Sequence, residues 1–227
     1  MSWFFVSDTH FFHSNIILHC KRPWFIPEDV DEEGFWINKQ VSEVRAEEMN
    51  EELIQNWNSV VKPGDNVLHC GDFAWTTSYP QTKRLLKQLN GQIHLCIGNH
   101  DSKYVYRCEG FASIKQIQEI KVDGLRIVGC HYPMMAWNQS HSGTLHVYGH
   151  THGTMPEPMH IRAVETSVDC QNFTPISVNQ LIKQMLRKTW VPPFKRDFFS
   201  DFLVRSGLNA LHCSSGPVAA DTADQGV

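Results

Sequence analysis

Five short apolar segments of this chain each end at a polar side chain of a type that binds metal ions. Each segment holds four to six residues, and the five are Trp3–Val6, Asn66–Cys70, Gln92–Ile97, Leu125–Cys130 and Thr144–Tyr148. Their length and their β-branched and aromatic content predict buried strands. Because open α/β folds place their sites where strand ends meet, we expect the polar residues after these segments to converge at one edge of a sheet.

Amphipathic patterns between these segments predict helices, which cover residues 49–60, 82–89 and 177–188. In the first of them, Met49, Leu53 and Trp57 recur at a spacing of three to four residues, and a Pro-Gly pair follows. Helices alternate with strands early in the chain, whereas strands dominate later, where Asp123-Gly124 indicates a hairpin. This order favours a two-sheet α/β sandwich over a single doubly wound sheet.

The composition is that of one globular domain. The 227 residues, 41% of them apolar and 19% charged, suffice for one well-buried core. We expect a domain over residues 1–190 and a C-terminal extension over residues 191–227. The extension should be partly disordered, because the residues from Ser214 onward are small and polar. The formal net charge of −4 gives no sign of a protein that binds duplex nucleic acid along its surface.

The cysteines and the N-terminal residues favour a cytoplasmic protein. The seven cysteines are an odd number without a C-x-x-C pair. Cys70, Cys96 and Cys130 lie in apolar segments, so reduced thiols are favoured over a disulfide scaffold. No charged segment precedes an apolar one near the start, and no apolar run is long enough to cross a bilayer. We therefore expect no signal peptide and no membrane span.

Residue types that bind metals follow all five predicted strands. They are Asp8, His10, Asp72, Asn99, His100, His131, His150 and His152. A single Asp or His at a strand end is more often structural, so the argument depends on their joint occurrence. Gly71, Gly98 and Gly149 stand beside them and allow the backbone to approach a ligand closely. The 13 histidines of the chain are a high number, and surplus imidazole is often directed at metals.

These motifs resemble the five ordered motifs of the calcineurin-like metallophosphoesterase superfamily. They are Asp8-Thr-His10, Gly71-Asp72, Gly98-Asn99-His100-Asp101, Cys130-His131 and Gly149-His150-Thr-His152. The resemblance covers residues 3 to about 170. It implies a four-layer α/β/β/α sandwich of two mixed sheets, with a dinuclear metal site at the sheet ends. The opening residues look similar to a small bacterial or phage-type phosphoesterase group of this superfamily.

The resemblance also implies a role for each of these side chains. The implied ligands are Asp8, His10 and His152 for one ion, Asn99, His131 and His150 for the other, and Asp72 as the bridge. Asp72 and His100 are the expected catalytic residues, with His100 protonating the leaving oxygen or stabilising the phosphoryl charge. Imidazole and carboxylate donors suit Mn²⁺, our first expectation, or Fe, Zn²⁺ or Ni²⁺, rather than Ca²⁺. A metal-bridging hydroxide would be the nucleophile.

Three further residues are candidates for substrate contacts. His13 and Arg22 are expected to contact phosphate, because N–H donors and the guanidinium fork match its oxygens. The alternative, a loop histidine and a surface arginine, stays open. Asp101 either orients the ring of His100 beside the substrate or caps the N-terminus of a helix.

The predicted function is hydrolysis of phosphate esters, with phosphodiesters of the nucleotide type as the preferred small substrates. One alternative is a phosphomonoesterase acting on small molecules or nucleic-acid ends. An alternative of another class is a catalytically silent binding scaffold, but such members lose ligands or the catalytic histidine, and this chain keeps His100. Gly71-Asp72 continues as Phe-Ala-Trp-Thr, unlike the protein Ser/Thr phosphatases, so phosphoproteins are not expected substrates. The oligomeric state stays open.

Overall fold

The strands of the molecule form two β-sheets. The computed structural model describes residues 1–33, 35, 37, 41–192 and 197–208. The strands are β1 Trp3–Val6, β2 Asn66–His69, β3 Gln92–Cys96, β4 Ser113–Lys115, β5 Ile117–Val122, β6 Leu125–Cys130, β7 Leu145–Tyr148, β8 Ala163–Glu165 and β9 Ile176–Ser177. The helices are α1 Ile16–His19, α2 Glu43–Val60, α3 Tyr79–Gln88, α4 Lys103–Tyr106, α5 Val178–Leu186 and α6 Phe198–Ser206. The five predicted strands are confirmed as β1, β2, β3, β6 and β7.

Both sheets are mixed, and an antiparallel strand lies at an edge of each. The first sheet has the order β4-β3-β2-β1-β9, with β9 antiparallel to β1. The second has the order β5-β6-β7-β8, with β5 antiparallel to β6. The N–H of Ser7 donates to the carbonyl of Thr166 at 2.9 Å, which joins the carboxyl ends of the two sheets. The predicted α/β/β/α sandwich of two mixed sheets is confirmed.

Two hydrophobic cores hold β1 from both faces of the first sheet. Because side chains alternate along a strand, Phe4 and Val6 belong to the first core and Phe5 to the second. The first core lies under α2 and α3 and includes Trp57, whose Nε1 donates to the carbonyl of Asn90 at 2.8 Å. The second core lies between the sheets and includes side chains of α5 and α6. Each large apolar side chain buried here contributes about 1.5–3 kcal/mol, so the position of β1 is strongly determined.

Helices α2 and α3 begin earlier than their apolar patterns predicted. Ser42 caps α2 and Ser78 caps α3, each by accepting a backbone N–H of the first turn. The apolar pattern marks only the buried face of a helix, and the first turns here are largely polar and exposed. The predicted cap at Ser177 is confirmed. The hairpin at Asp123-Gly124 is confirmed too, with left-handed φ values of 50° and 95° at the two positions.

Helix α6 packs into the second core. Its Phe199, Phe202 and Leu203 are buried there, and Asp197, which caps the helix, forms an ion pair with Arg162. This helix lies beyond the predicted domain end at residue 190, and that division of the chain stays a prediction.

The predictions drawn from composition also concern the C-terminal residues and the cysteines. The tail predicted from Ser214 lies outside the described residues. The six cysteines of the described residues are free thiols, as predicted. Among those residues, no helix combines the length and the apolar character that crossing a membrane requires. The cytoplasmic location stays a prediction.

Candidate metal centre

The predicted ligands lie where the carboxyl ends of the two sheets meet. Asp8 and His10 follow β1, Asp72 follows β2 and Asn99 follows β3, all from the first sheet. From the second sheet, His131 follows β6, and the loop after β7 carries the other two histidines of the set. We call Asp8, His10 and His152 the first ligand group, and Asn99, His131 and His150 the second ligand group. Asp72 lies between them.

The first ligand group is compact, and its Asp8 and His10 are buried. His152 Nε2 lies 3.7 Å from Asp8 Oδ1, and the rings of His10 and His152 stack with their centroids 5.2 Å apart. Single donor atoms of the three side chains lie within 4.8 Å of one another, a spacing that one metal ion can span. Ser7 Oγ donates to Asp8 Oδ2 at 2.6 Å, which leaves the other carboxylate oxygen facing the histidines.

The second ligand group surrounds one nitrogen of His131. His131 Nε2 lies 2.8 Å from Asn99 Oδ1 and 3.2 Å from His150 Nδ1. The same nitrogen lies 3.4 Å from Asp72 Oδ2. That carboxylate oxygen is also 3.4 Å from His10 Nε2 of the first ligand group. One oxygen of Asp72 therefore faces both groups at equal distance, the position that a bridging ligand takes.

The donor atoms of this cluster fit divalent cations. His131 Nδ1 lies 2.9 Å from the carbonyl oxygen of Cys70, which can only accept, so Nδ1 carries the proton. Its Nε2 then directs a lone pair at the oxygens of Asn99 and Asp72, an arrangement that a cation between them makes favourable. In the described part of the chain, the buried His10 Nε2 has no hydrogen-bond partner at all. A buried nitrogen without a partner is costly unless a metal binds it.

Burial opposes charge on these side chains when no cation is bound. It raises the pKa of Asp8 to about 7 and lowers the pKa of His10 well below its usual value. Burial also lowers the pKa of His131. For His152 burial also lowers the pKa, but the hydrogen bonds with Asp169 and Cys20 and the charge of Asp8 outweigh it and raise the pKa to about 10. Binding of an ion at His152 would therefore displace a proton.

The backbone at the site is strained. Positive φ values occur at five of the seven candidate ligands, which are Asp8 (55°), His10 (49°), Asp72 (55°), His150 (76°) and His152 (47°). Residues with a side chain adopt this conformation at a cost of about 1–3 kcal/mol each, and such residues concentrate at functional sites. The surrounding sheets must stabilise these conformations, because the ligands are held in directions that relaxed loops would not give.

Two glycines beside the ligands are required for space. A Cβ built on Gly98 would collide with the backbone nitrogen and the carboxylate of Asp72, and one on Gly149 would collide with Asp8 and Ser7. The close backbone approach predicted for these two glycines is confirmed.

Arg22 supports the first ligand group from behind, so the contact with substrate predicted for it is wrong. Its side chain is 1% exposed, and all five of its N–H groups are engaged. Two of them bind Asp169 at 2.9 and 3.0 Å, and others bind the carbonyls of Asp8 and Thr9 at 2.7 and 3.1 Å. No N–H remains for a phosphate.

Asp169 connects this arginine to a ligand, whereas the sequence, in which it follows a late strand, favours a purely structural role. Its Oδ2 accepts from His152 Nδ1 at 2.7 Å, which fixes the ring so that Nε2 faces Asp8. Asp169 follows β8 in a short 3-10 turn, Val168–Cys170. Its position after a strand, which it shares with the candidate ligands, is the signal that could have identified it.

Asp101 has a backbone role that neither predicted alternative describes. Its carboxylate accepts the N–H groups of Asp72 at 3.0 Å, Phe73 at 2.8 Å and Gly98 at 2.8 Å. Ser102, not Asp101, caps α4. Asp101 is buried and ties the loop after β2 to the loop after β3. The prediction that it binds substrate is therefore wrong, and we assign it to the positioning of Asp72.

His100 and His13 lie at the open side of the site. Asn99, His100 and His150 are exposed, and the ring centroid of His100 is 5.4 Å from that of His10. His13 is half-buried, and its Nδ1 lies 3.3 Å from Nδ1 of His10. Both residues are within reach of a bound molecule, and their predicted roles stay predictions.

Comparisons with known proteins agree with this geometry. A family model for the calcineurin-like phosphoesterase superfamily domain matches residues 1–165. An uncharacterized protein of Methanocaldococcus jannaschii is 30% identical over 186 residues, covering 79% of this chain and 89% of that protein. A crystal structure of a protein of unknown function from Aquifex aeolicus is similar, with 25% identity, a TM-score of 0.57, and coverage of 81% of this chain and 98% of that one. The phosphoesterase Yfce of E. coli aligns at 17% identity with a TM-score of 0.37, over 74% of this chain and 78% of its own.

Proposed function

This chain belongs to the calcineurin-like phosphoesterase superfamily, and from that premise we propose that it is a metal-dependent phosphodiesterase of nucleotide-type substrates. Each ligand group would hold one divalent ion, with Asp72 between them. We propose Mn²⁺ as the ion, because imidazole, carboxylate and amide donors without a thiolate suit it. When bound, the two ions supply positive charge to the phosphoryl oxygens and lower the pKa of a water molecule.

The position of Asp72 is the observation that carries this proposal. Its Oδ2 is 3.4 Å from a ring nitrogen of each ligand group, His10 Nε2 on one side and His131 Nε2 on the other. Its backbone is fixed by Asp101, and its Oδ1 accepts the N–H of His100 at 2.8 Å. A carboxylate held in this way is suited to bridge two cations.

His100 is the residue that we propose as proton donor to the leaving oxygen. Its N–H bond to Asp72 fixes its distance from the centre of the cluster. His100 is exposed, and the centroid of its ring lies 5.4 Å from that of His10. It belongs to neither ligand group. An imidazole in that position can pass a proton to the departing alcohol, which is the usual contribution of a general acid.

The charge around the site favours a diester over a monoester. A phosphate monoester carries about −1.5 to −2 charge at neutral pH, whereas a diester carries a single negative charge. In the described part of the chain, no lysine or arginine forms an ion pair with a candidate ligand. The metal ions would then be the main positive charge, and one negative charge on the substrate matches them better.

The test compares a bis-aryl phosphodiester with an aryl phosphomonoester. Protein stripped of metal with a chelator should be inactive, and Mn²⁺ should restore hydrolysis, with Fe²⁺, Zn²⁺ and Ni²⁺ compared at equal free concentration. We expect the diester to be hydrolysed with the higher kcat/KM.

Two other results would change the function that we propose. Faster hydrolysis of the monoester would replace the diesterase by a phosphomonoesterase. A fully metal-loaded protein that hydrolyses neither ester would contradict enzymatic activity and favour a binding scaffold.

A further inference from the structure

Trp75 is a large exposed side chain beside the candidate metal centre. Its side chain is 49% exposed, although its backbone is firmly held, since its N–H donates to the carbonyl of Phe11 at 2.8 Å. Ala74 next to it pairs with Phe11 in a β-bridge, and Phe73 is buried in the first core. The indole is therefore presented to solvent by a rigid segment.

The ring of Trp75 is oriented by the histidines of the site. It stacks on His13 with a centroid distance of 4.4 Å and an interplanar angle of 15°. Its centroid is 5.4 Å from that of His100. His13 in turn packs against His10 of the first ligand group at 5.3 Å. Trp75 thus continues a row of rings that leads outward from the metal centre past His100.

We propose that Trp75, supported by His13, binds the aromatic ring of the leaving alcohol, and that the substrates are phosphodiesters whose leaving group carries a nucleobase. This inference rests on the proposed function, because it uses His100 to mark the side on which the alcohol departs. A base is flat and offers a π-face for stacking on an aromatic side chain, as in many proteins that bind nucleotides. A rigid indole with an exposed surface beside the proton donor has the geometry for that contact.

Another exposed aromatic residue contacts the second ligand group. Tyr132 is 46% exposed, and it makes edge contacts with His131 and His150 of the second ligand group at 5.0 and 4.8 Å. Because the ring of His100, the proposed proton donor, lies beside Trp75, we place the leaving alcohol at Trp75 and not at Tyr132.

The experiment compares two diesters that differ only in the base. One has adenosine as its leaving alcohol, and the other has the same ribose without a base, so the chemistry of the leaving oxygen is matched. For the Mn²⁺-loaded full chain, Trp75→Ala should raise KM for the adenosine ester about tenfold, the size expected for losing one base stack. The rise in KM should be smaller for the ester without a base, because that ester has no ring to stack on Trp75. Trp75→Phe should retain most of the binding.

A control and a binding measurement separate this proposal from the proposed function. Tyr79→Ala removes a similarly exposed aromatic ring that packs on Tyr104, and it should leave both KM values unchanged. Calorimetric titration with adenosine 5′-monophosphate and with ribose 5-phosphate should show that Trp75→Ala weakens only the former. If the protein hydrolyses no ester, this titration still tests whether a base stacks on Trp75. Equal effects of Trp75→Ala on both ligands, or on both esters, would overturn the proposal.

Discussion

The first and second ligand groups differ in burial and in support. In the first group, Asp8 and His10 are buried, and His152 is held by Asp169, which is itself held by Arg22. In the second group, His131 is buried against the carbonyl of Cys70, but Asn99 and His150 are exposed. Residues that orient a ligand raise its affinity for a metal by fixing its direction. We therefore expect the first group to bind its ion more tightly and the second to exchange its ion more readily.

This difference suits the chemistry that we propose. A site that a substrate must approach needs an open side, and Asn99 and His150 are exposed, as is His100. A site that only holds an ion in place can be closed. The first ligand group is thus the more buried one, and the second ligand group is the one that a substrate can reach.

The largest effect is expected at Asp72, which belongs to both groups. Asp72→Asn removes the charge that faces both His10 and His131, so it should weaken the binding of both ions. We expect a loss of activity of about 1000-fold, the size seen when a group that stabilises transition-state charge is removed. Titration with Mn²⁺ checks the metal stoichiometry, and a thermal melt checks the fold. Retention of two tightly bound ions would contradict the bridging position.

A smaller and selective effect is expected at Asn99. Asn99→Ala removes an exposed neutral ligand from the second group. The affinity for the ion that this group binds should therefore fall about 100-fold, at the upper end of the range for changes around a metal. The affinity for the tighter ion should not change. Asn138→Ala is the matched control, because this exposed asparagine bonds only to Glu119 among the described residues. Equal loss at both ions would show that the groups are not independent.

The ligand types could be predicted from the sequence because they follow strands. Each strand segment is a local pattern of apolar residues, and the residue that ends it is read directly from the chain, as for Asp72 after β2 and His131 after β6. The convergence of these ends follows from the sheet order, which parallel pairing determines. The general fold could therefore be predicted from the strand pattern, whereas the choice of seven ligands came from the resemblance to the superfamily.

The support behind the ligands could not be predicted, because it depends on contacts between distant residues. Arg22 and Asp169 are 147 positions apart, and no local pattern connects them. The guanidinium of Arg22 was assigned to phosphate because its chemistry suits an anion, and only its burial shows that the anion is Asp169. The positive φ values at Asp8 and His10 could not be predicted either, because this conformation is uncommon for residues other than glycine, even though Asp and His adopt it more often than most.

The smallest effect is expected at Asp169, which touches the metal site only through His152. Asp169→Asn keeps the size of the side chain but removes the charge that orients the imidazole, so the affinity for the tighter ion should fall about tenfold, at the lower end of the usual range. The affinity for the ion of the second group should stay unchanged, so the affinities of the two groups would become more similar.

Because the variant also leaves Arg22 without its charged partner, some loss of thermal stability is expected in any case. Asp29→Asn controls for that loss, since Asp29 forms a comparable pair with Arg45 at 2.7 and 2.8 Å. If both variants lose stability but neither changes the titration with Mn²⁺, Asp169 has a structural role only, and the tighter binding of the first group must come from the burial of Asp8 and His10.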